Sequence, residues 1–223
     1  MCNVESFRWA LANISKEDIA GKDVIEVGSY DVNGSLRCII ELMEPSQYLG
    51  VDIAEGPGVD EVCPAEKMAD TYGKESFDVV ISTCVLEHIL DWKTAISNMK
   101  QICKTKGLII FIVPSTWPFH EHPYDYWRYN KEDVVNIFSD CNILTLDDDQ
   151  WNPRWKPTLV YAKIMKPDNF MEKDLSDYML YSIIKRKKLK DIKDNESGIY
   201  LKWLYLKCKI REYCHDGINL LFQ

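Results

Sequence analysis

A chain of 223 residues, 46% of them apolar, is long enough for one domain with a substantial core and a smaller appendage. Its formal charge of −8 is unevenly spread: residues 1–165 hold 26 acidic against 15 basic side chains, and residues 166–223 hold 9 against 12. The acidic part makes a poor partner for nucleic-acid phosphates, so a nucleic-acid substrate is not expected, while the basic tail leaves contact with an anionic surface or partner open. No apolar run approaches bilayer-spanning length, the N-terminus lacks a basic region followed by an apolar stretch, and the eight cysteines are scattered without a Cys-x-x-Cys pair. Together these predict a protein that does not span a membrane and keeps reduced thiols in the cytoplasm.

In chain order, Phe7, Leu11 and Ile14 recur at helical spacing and predict one amphipathic helix over residues 4–20, closed by Gly21. A first strand is expected at 23–28, a helix at 35–43 with Leu36, Ile39, Ile40 and Met43 on one face, and a second strand at 47–53. After the Gly56-Pro57-Gly58 loop come a short third strand at 59–62 and a short helix at 65–72. The run Phe77 to Ser82 is nearly all apolar, as a strand covered on both faces should be. A helix at 92–103, a fifth strand at 108–113, a helix at 131–138 capped by Asn130, and two closing strands at 142–147 and 157–165 follow. Residues 168–223 read as two or three helices, one of them a basic amphipathic helix around Lys185-Arg186-Lys187-Lys188.

Within this order, residues 24–34 (Val-Ile-Glu-Val-Gly-Ser-Tyr-Asp-Val-Asn-Gly) carry the most information. An apolar strand ends in an acid, Glu26, and Gly28 opens a turn in which backbone can approach a ligand. One helix later a second strand ends in another acid, Asp52. Strand, glycine turn, helix and acid-tipped strand is how a doubly wound sheet grips a nucleoside ribose. Glu26 to Gly34, Asp52, and Phe77-Asp-Val-Val-Ile-Ser-Thr-Cys-Val-Leu-Glu-His88 together resemble the successive motifs of class I S-adenosylmethionine-dependent methyltransferases, in the small-molecule group whose fourth strand is followed by Leu-Glu-His. The resemblance covers roughly residues 20–165. It departs at Tyr30, where the family usually has a second glycine; Asn33-Gly34 is the candidate for the flexible corner instead. A dehydrogenase is disfavoured because Gly-x-Gly-x-x-Gly is absent.

The resemblance implies an α/β fold: a Rossmann-like class I methyltransferase sandwich with a seven-stranded, mostly parallel sheet, formed by residues 1–166, and a helical C-terminal appendage, 167–223. It also implies S-adenosylmethionine as cofactor. Glu26, Gly28 and Ser29 would lie along its methionine portion with Asn33 and Gly34 in the same turn. Asp52 would take the ribose hydroxyls, Ile53 would pack the adenine, and Ala65 and Glu66 would border it. Ser82 and Thr83 would lie near the methyl group.

Catalysis is expected from two places. His88 lies just past strand four, and the segment 114–129 follows strand five over the carboxyl ends of the sheet, rich in aromatics and holding His120, His122 and Asp125. A histidine held by an aspartate suits a general base, which makes His122, His88, Asp125 and His120 the catalytic candidates. The alternative for this segment is a packed lid with Tyr126, Trp127 and Tyr129 buried and an Asp125–Arg128 ion pair. Some relatives bind a divalent ion through Glu-x-x-Glu-His, but the first acid is here Cys84; no metal ligand is assigned, and activity is expected to survive chelation. The expected reaction is methylation of a small or medium polar acceptor, a hydroxyl of a sugar, glycan-like molecule or other biosynthetic metabolite. The alternatives are a metal-assisted methyltransferase using Glu87 and His88, and a non-catalytic methyltransferase-like subunit that binds a partner through its tail. A homodimer is left open by the apolar run 199–206.

Overall fold

A computed structural model describes residues 4–32, 34–120, 124–149 and 158–192. Seven strands form one sheet in the order β3-β2-β1-β4-β5-β8-β7: β1 (Asp23–Val27), β2 (Gln47–Asp52), β3 (Glu61–Val62), β4 (Phe77–Thr83), β5 (Cys103–Pro114), β7 (Asn142–Asp148) and β8 (Leu159–Met165). The five from β3 to β5 run parallel, and β8 is antiparallel to both β5 and β7. The expected seven-stranded, mostly parallel sheet is what forms.

The nearly unbroken apolar runs of β4 and β5 are explained by burial on both faces. Val79, Ile81, Ile110 and Ile112 point into one cluster with Trp9, Ile14, Ile19, Leu36 and Ile40. Their alternates Val80, Ile109, Phe111 and Val113 point into the other with Met68, Trp92, Ile96, Met99 and Phe138. The first face is covered by α1 (Val4–Asn13), α2 (Lys16–Ile19) and α3 (Arg37–Glu41), and the second by α4 (Met68–Tyr72), α5 (Trp92–Ile102) and α6 (Lys131–Ile137). Asn130 caps α6 as expected: its Oδ1 accepts from the Asp133 N–H at 2.8 Å, and the Asp133 carboxylate accepts from the Asn130 N–H at 3.0 Å.

Two expectations need correction. The helix at 4–20 is two helices, because the Asp18 carboxylate accepts from the Ser15 N–H at 2.8 Å and starts a new helix there. Leu11 is 61% exposed, and Trp9 and Ala10 take the inward positions. Trp9 stacks on Tyr161 and donates to Asp147 at 2.8 Å, which fixes the rotation of α1. In the tail, the expected basic amphipathic helix is a β-hairpin, β9 (Leu180–Ser182) and β10 (Lys187–Leu189), with Arg186 at a positive φ of 54° in its turn. Leu180 and Ser182 are buried while Tyr181 is exposed, a period of two that the surrounding apolar residues hide in the sequence. β9 also pairs with β6 (Trp127–Arg128). Leu175, Leu180, Ile184 and Ile192 join the main core cluster, so residues 168–192 pack against the sheet domain and brace the segment after β5. The apolar run 199–206 and the rest of the expected appendage from 193 onward lie outside the described residues.

Candidate active site

Two groups of residues meet at the carboxyl ends of β1, β2 and β4. The first surrounds the turn after β1. Gly28 has φ +76°, and a Cβ there would come within 2.3 Å of Val85 Cγ2, so the turn closes only because position 28 has no side chain. Glu26 is 2% exposed, and its carboxylate accepts from Tyr48 Oη at 2.6 Å and Ser35 Oγ at 3.0 Å. Burial raises its pKa above the ordinary carboxylate range, and the Tyr48 and Ser35 hydrogen bonds only partly oppose this. Asp52 is held by two backbone amides, Ile53 N–H at 2.7 Å and Tyr30 N–H at 3.2 Å, which aim its carboxylate along the sheet edge.

Tyr30 is accommodated by a second glycine rather than by Asn33-Gly34 alone. A Cβ at Gly56 would lie 2.1 Å from the Tyr30 ring, so the bare backbone of the loop after β2 gives the ring its place. The Asp31 N–H donates to the Pro57 carbonyl at 2.8 Å and ties loop to turn. Gly34, at φ +108°, donates its N–H to Asp31 at 2.6 Å. Asn33 lies outside the described residues. Ala65 is buried and Glu66 half-buried just beyond β3, whose following Cys63 N–H bonds to the Asp52 carbonyl at 2.8 Å, and Ile53 is 60% exposed at the same edge. Thr83 is buried at the end of β4.

Whether these residues fit a nucleoside-sulfonium cofactor can be tested on buried polar atoms. Ser29 Oγ and Ser82 Oγ are both buried without a hydrogen-bond partner among the described residues. Register places Ser82 beside Val27 at the end of β4, and Ser29, two residues past Val27, has its Oγ 2.8 Å from where a Cβ on Gly50 of β2 would stand, so the two hydroxyls flank the turn that ends β1. Buried hydroxyls without partners cost about 1–3 kcal/mol each and are rare unless a ligand satisfies them. They lie with the glycine turn and the acid of β2, and the set fits. Glu26 gives a further prediction. Its protonated form adds stability that is fully present below the ordinary carboxylate range and is lost as pH rises through the raised value. Above that raised value the buried anion is a burden, so Glu26→Gln should raise the Tm of the ligand-free protein there and flatten its pH dependence, while weakening cofactor binding. Thermal unfolding across pH beside calorimetry reads both; a lower Tm with unchanged cofactor affinity would contradict it.

The second group lies where the segment after β4 meets the lid that follows β5. The lid is anchored on that segment. The backbone N–H of Tyr126 donates to the Glu87 carbonyl at 2.7 Å, Trp127 Nε1 to the Ile89 carbonyl at 3.1 Å, and Tyr129 Oη to the Leu86 carbonyl at 3.2 Å. Tyr126, Trp127 and Tyr129 are buried, which bears out the packing half of the sequence expectation. Asp125 is fully buried and grips Arg128 through both oxygens. Its carboxylate is closed off from solvent, so it does not stand at the surface of the site. It positions His120 instead, accepting from that residue's N–H at 3.0 Å and standing 3.2 Å from its Nδ1.

His120 is thereby brought to His88 and Glu87. The two imidazoles lie edge to face with ring centroids 5.0 Å apart, and their Nε2 atoms are 3.7 Å (His88) and 3.8 Å (His120) from Glu87 Oε1. Glu87 is 1% exposed, and its Oε2 has no hydrogen-bond partner among the described residues. Burial lowers the pKa of His88 despite the nearby Glu87. For His120 the same burial effect is outweighed by Asp125, and its pKa is raised. His122 lies outside the described residues. In the sequence Glu87 stands out only for metal binding, and nothing there indicates that His120, 32 positions away, meets His88; that contact depends on how the lid folds back.

A family model described as a methyltransferase domain matches residues 6–145. Among solved structures, an S-adenosylmethionine-dependent methyltransferase from Mesorhizobium loti is 15% identical with a TM-score of 0.56, the match covering 74% of this chain and 99% of that one. A putative methyltransferase of the same kind from Listeria monocytogenes is 14% identical with a TM-score of 0.57, covering 73% and 96%. The Burkholderia thailandensis 1,6-didemethyltoxoflavin-N1-methyltransferase, solved with its substrate and S-adenosylhomocysteine, is 12% identical with a TM-score of 0.53, covering 67% and 72%. No curated protein matches the sequence significantly. With its sheet order, glycine turn, acid-tipped second strand and a family match over most of the sheet domain, the chain belongs to the class I S-adenosylmethionine-dependent methyltransferases, and S-adenosylmethionine is its cofactor.

Proposed function

We propose that this enzyme methylates a hydroxyl oxygen of a small or medium polar acceptor, a sugar-like or other biosynthetic metabolite, in a reducing compartment such as the cytoplasm. The observation that carries this reading is the Glu87–His88–His120 cluster, built at the end of β4 next to the Gly28 turn that packs on Val85. When bound, the cofactor supplies an electrophilic methyl group whose C–S bond breaks, with its electrons returning to sulfur, as the acceptor oxygen's lone pair forms the new C–O bond. Glu26, Ser29 and Ser82 bind and orient its methionine end, Asp52 takes the ribose, and Ile53 and Ala65 cover the adenine. Glu87, His88 and His120 face the acceptor and stabilise its oxygen as its proton leaves, while Asp125 and Arg128 fix the lid. The aromatic lid supports an acceptor with flat apolar faces and hydroxyl edges. Arg186, Lys187 and Lys188, exposed at the hairpin, support a contact with an anionic partner.

The reading is tested by incubating the full chain with methyl-labelled S-adenosylmethionine and a panel of hydroxylated, glycosylated and amine-bearing metabolites, with products identified by mass spectrometry. Oxygen-methylated product with matching S-adenosylhomocysteine release is expected. Methylation at nitrogen or carbon only would overturn the acceptor class. Cofactor binding without turnover on any compound would favour a non-catalytic binding subunit.

A further inference from the structure

The hydrogen bonds behind the two imidazoles decide which nitrogens carry protons. His88 Nδ1 faces the Tyr124 carbonyl, which only accepts, so Nδ1 is the protonated atom. His120 Nδ1 faces the Asp125 carboxylate at 3.2 Å and the Pro118 carbonyl at 3.3 Å, again acceptors only. In their neutral tautomers both rings therefore turn an Nε2 lone pair toward Glu87. Two lone pairs and a carboxylate converge there, and no donor of the described protein reaches Glu87 Oε2. Protons on the rings would relieve Oε1 but leave the second, buried oxygen without a partner. A divalent ion satisfies all three groups at once.

The wider geometry agrees. One ligand atom from each of Glu87, His88 and His120 lies within 4.8 Å of the others, and ligands about 2.0–2.2 Å from a shared ion stand roughly 3–4 Å apart. Each imidazole donates its far N–H to a carbonyl or carboxylate, the arrangement that fixes ring orientation around metals. The side chains of His88 and His120 are 13% and 18% exposed, which gives an ion access, while Glu87 is sealed at 1%. Cys84, three positions before Glu87, has φ +51° and buries its side chain in the cluster on the other face of the sheet. A third group of ligand chemistry, His120, comes instead from the lid.

We propose that Glu87, His88 and His120 form a binding site for one divalent first-row transition ion of the zinc type, with an open coordination position turned toward the methyl acceptor. Two imidazoles and one carboxylate suit zinc, iron or cobalt better than magnesium, and three protein ligands with an open position are the pattern of a reactive rather than a structural site. The role toward the acceptor rests on the methyl-transfer reading above: the hydroxyl oxygen binds the ion, its proton leaves to water, and the resulting alkoxide is the nucleophile. The binding itself does not depend on that role.

The full chain is stripped with chelator, dialysed, and titrated separately with zinc, cobalt and magnesium by calorimetry, with S-adenosylhomocysteine binding measured in the same metal-free sample. One zinc or cobalt ion per chain is expected, with weaker magnesium binding. The cobalt form should show visible d–d bands without the near-ultraviolet thiolate band that binding at cysteine would give. His88→Ala and His120→Ala should each weaken zinc binding a hundredfold or more, and Asp125→Asn by roughly 10–100-fold through loss of His120 positioning, all with S-adenosylhomocysteine binding retained as proof of folding. Absence of binding by either transition ion, wild-type zinc affinity in His120→Ala, or a thiolate band would overturn the site. Loss of S-adenosylhomocysteine binding in the wild-type protein would count against the methyl-transfer reading and leaves the metal titration to be judged by its own result.

Discussion

Gly28→Ala is expected to abolish measurable binding of S-adenosylmethionine and S-adenosylhomocysteine. Alanine at φ +76° costs about 1–2 kcal/mol in backbone strain. The new methyl group would overlap Val85 at 2.3 Å and push apart the two segments that carry Ser29 and Glu87. Because this variant also loses stability, Asp52→Ala is the cleaner partner experiment. Asp52 is half-exposed, and its loss removes charge-assisted hydrogen bonds to the ligand worth about 2–3 kcal/mol, or roughly 30–150-fold in Kd. Calorimetry on both variants, with circular dichroism to confirm folding, checks the result. Unchanged affinity in Asp52→Ala would remove that residue from the cofactor site.

Once an acceptor is known, His120→Ala and His88→Ala should each lower kcat by roughly a hundredfold or more while leaving cofactor affinity nearly unchanged. Both imidazoles point at Glu87, and neither belongs to the Gly28 turn or the β2 edge. Asp125→Asn should fall in the same direction by a smaller factor, because it acts through His120 and not on substrate. His122→Ala is the informative contrast, since the sequence ranked His122 first. A hundredfold loss there with full activity in His120→Ala would move the chemistry from the described cluster to His122. A raised KM with normal kcat in the His120 variant would reduce its role to acceptor binding.

Much of the fold was legible in the chain because its signals are local. Continuous apolar runs at 77–82 and 108–113 mark strands buried on both faces, and Asn130 with Asp133 marks a helix start. Glu26, Gly28 and Asp52 were legible as a site because strand-turn-helix-strand spacing forces them to one sheet edge. Where periodicity continued past a cap, as at Ser15, the reading ran two helices together. In the tail, apolar and basic residues fit either period, and pairing with Trp127 and Arg128 selected the hairpin over the helix. That choice is tertiary: β9 gains a partner strand, and the hairpin buries Leu180 and Ile184 in the core, which a helix at the same residues would have to give up.

The chemistry divides in the same way. The cofactor is legible in the chain, since its recognition is written in contiguous motifs. So is the placement of His88 and the lid on one side of the sheet. Packing in three dimensions is what bridges Glu26 with Ser35 and Tyr48, makes room for Tyr30 at Gly56, and turns Asp125 into a buried brace for His120. The meeting of Glu87, His88 and His120 belongs to that second class. It depends on a loop folding back onto the segment after β4 through backbone hydrogen bonds, and backbone groups are the same at every position, so no side-chain pattern encodes where they will pair.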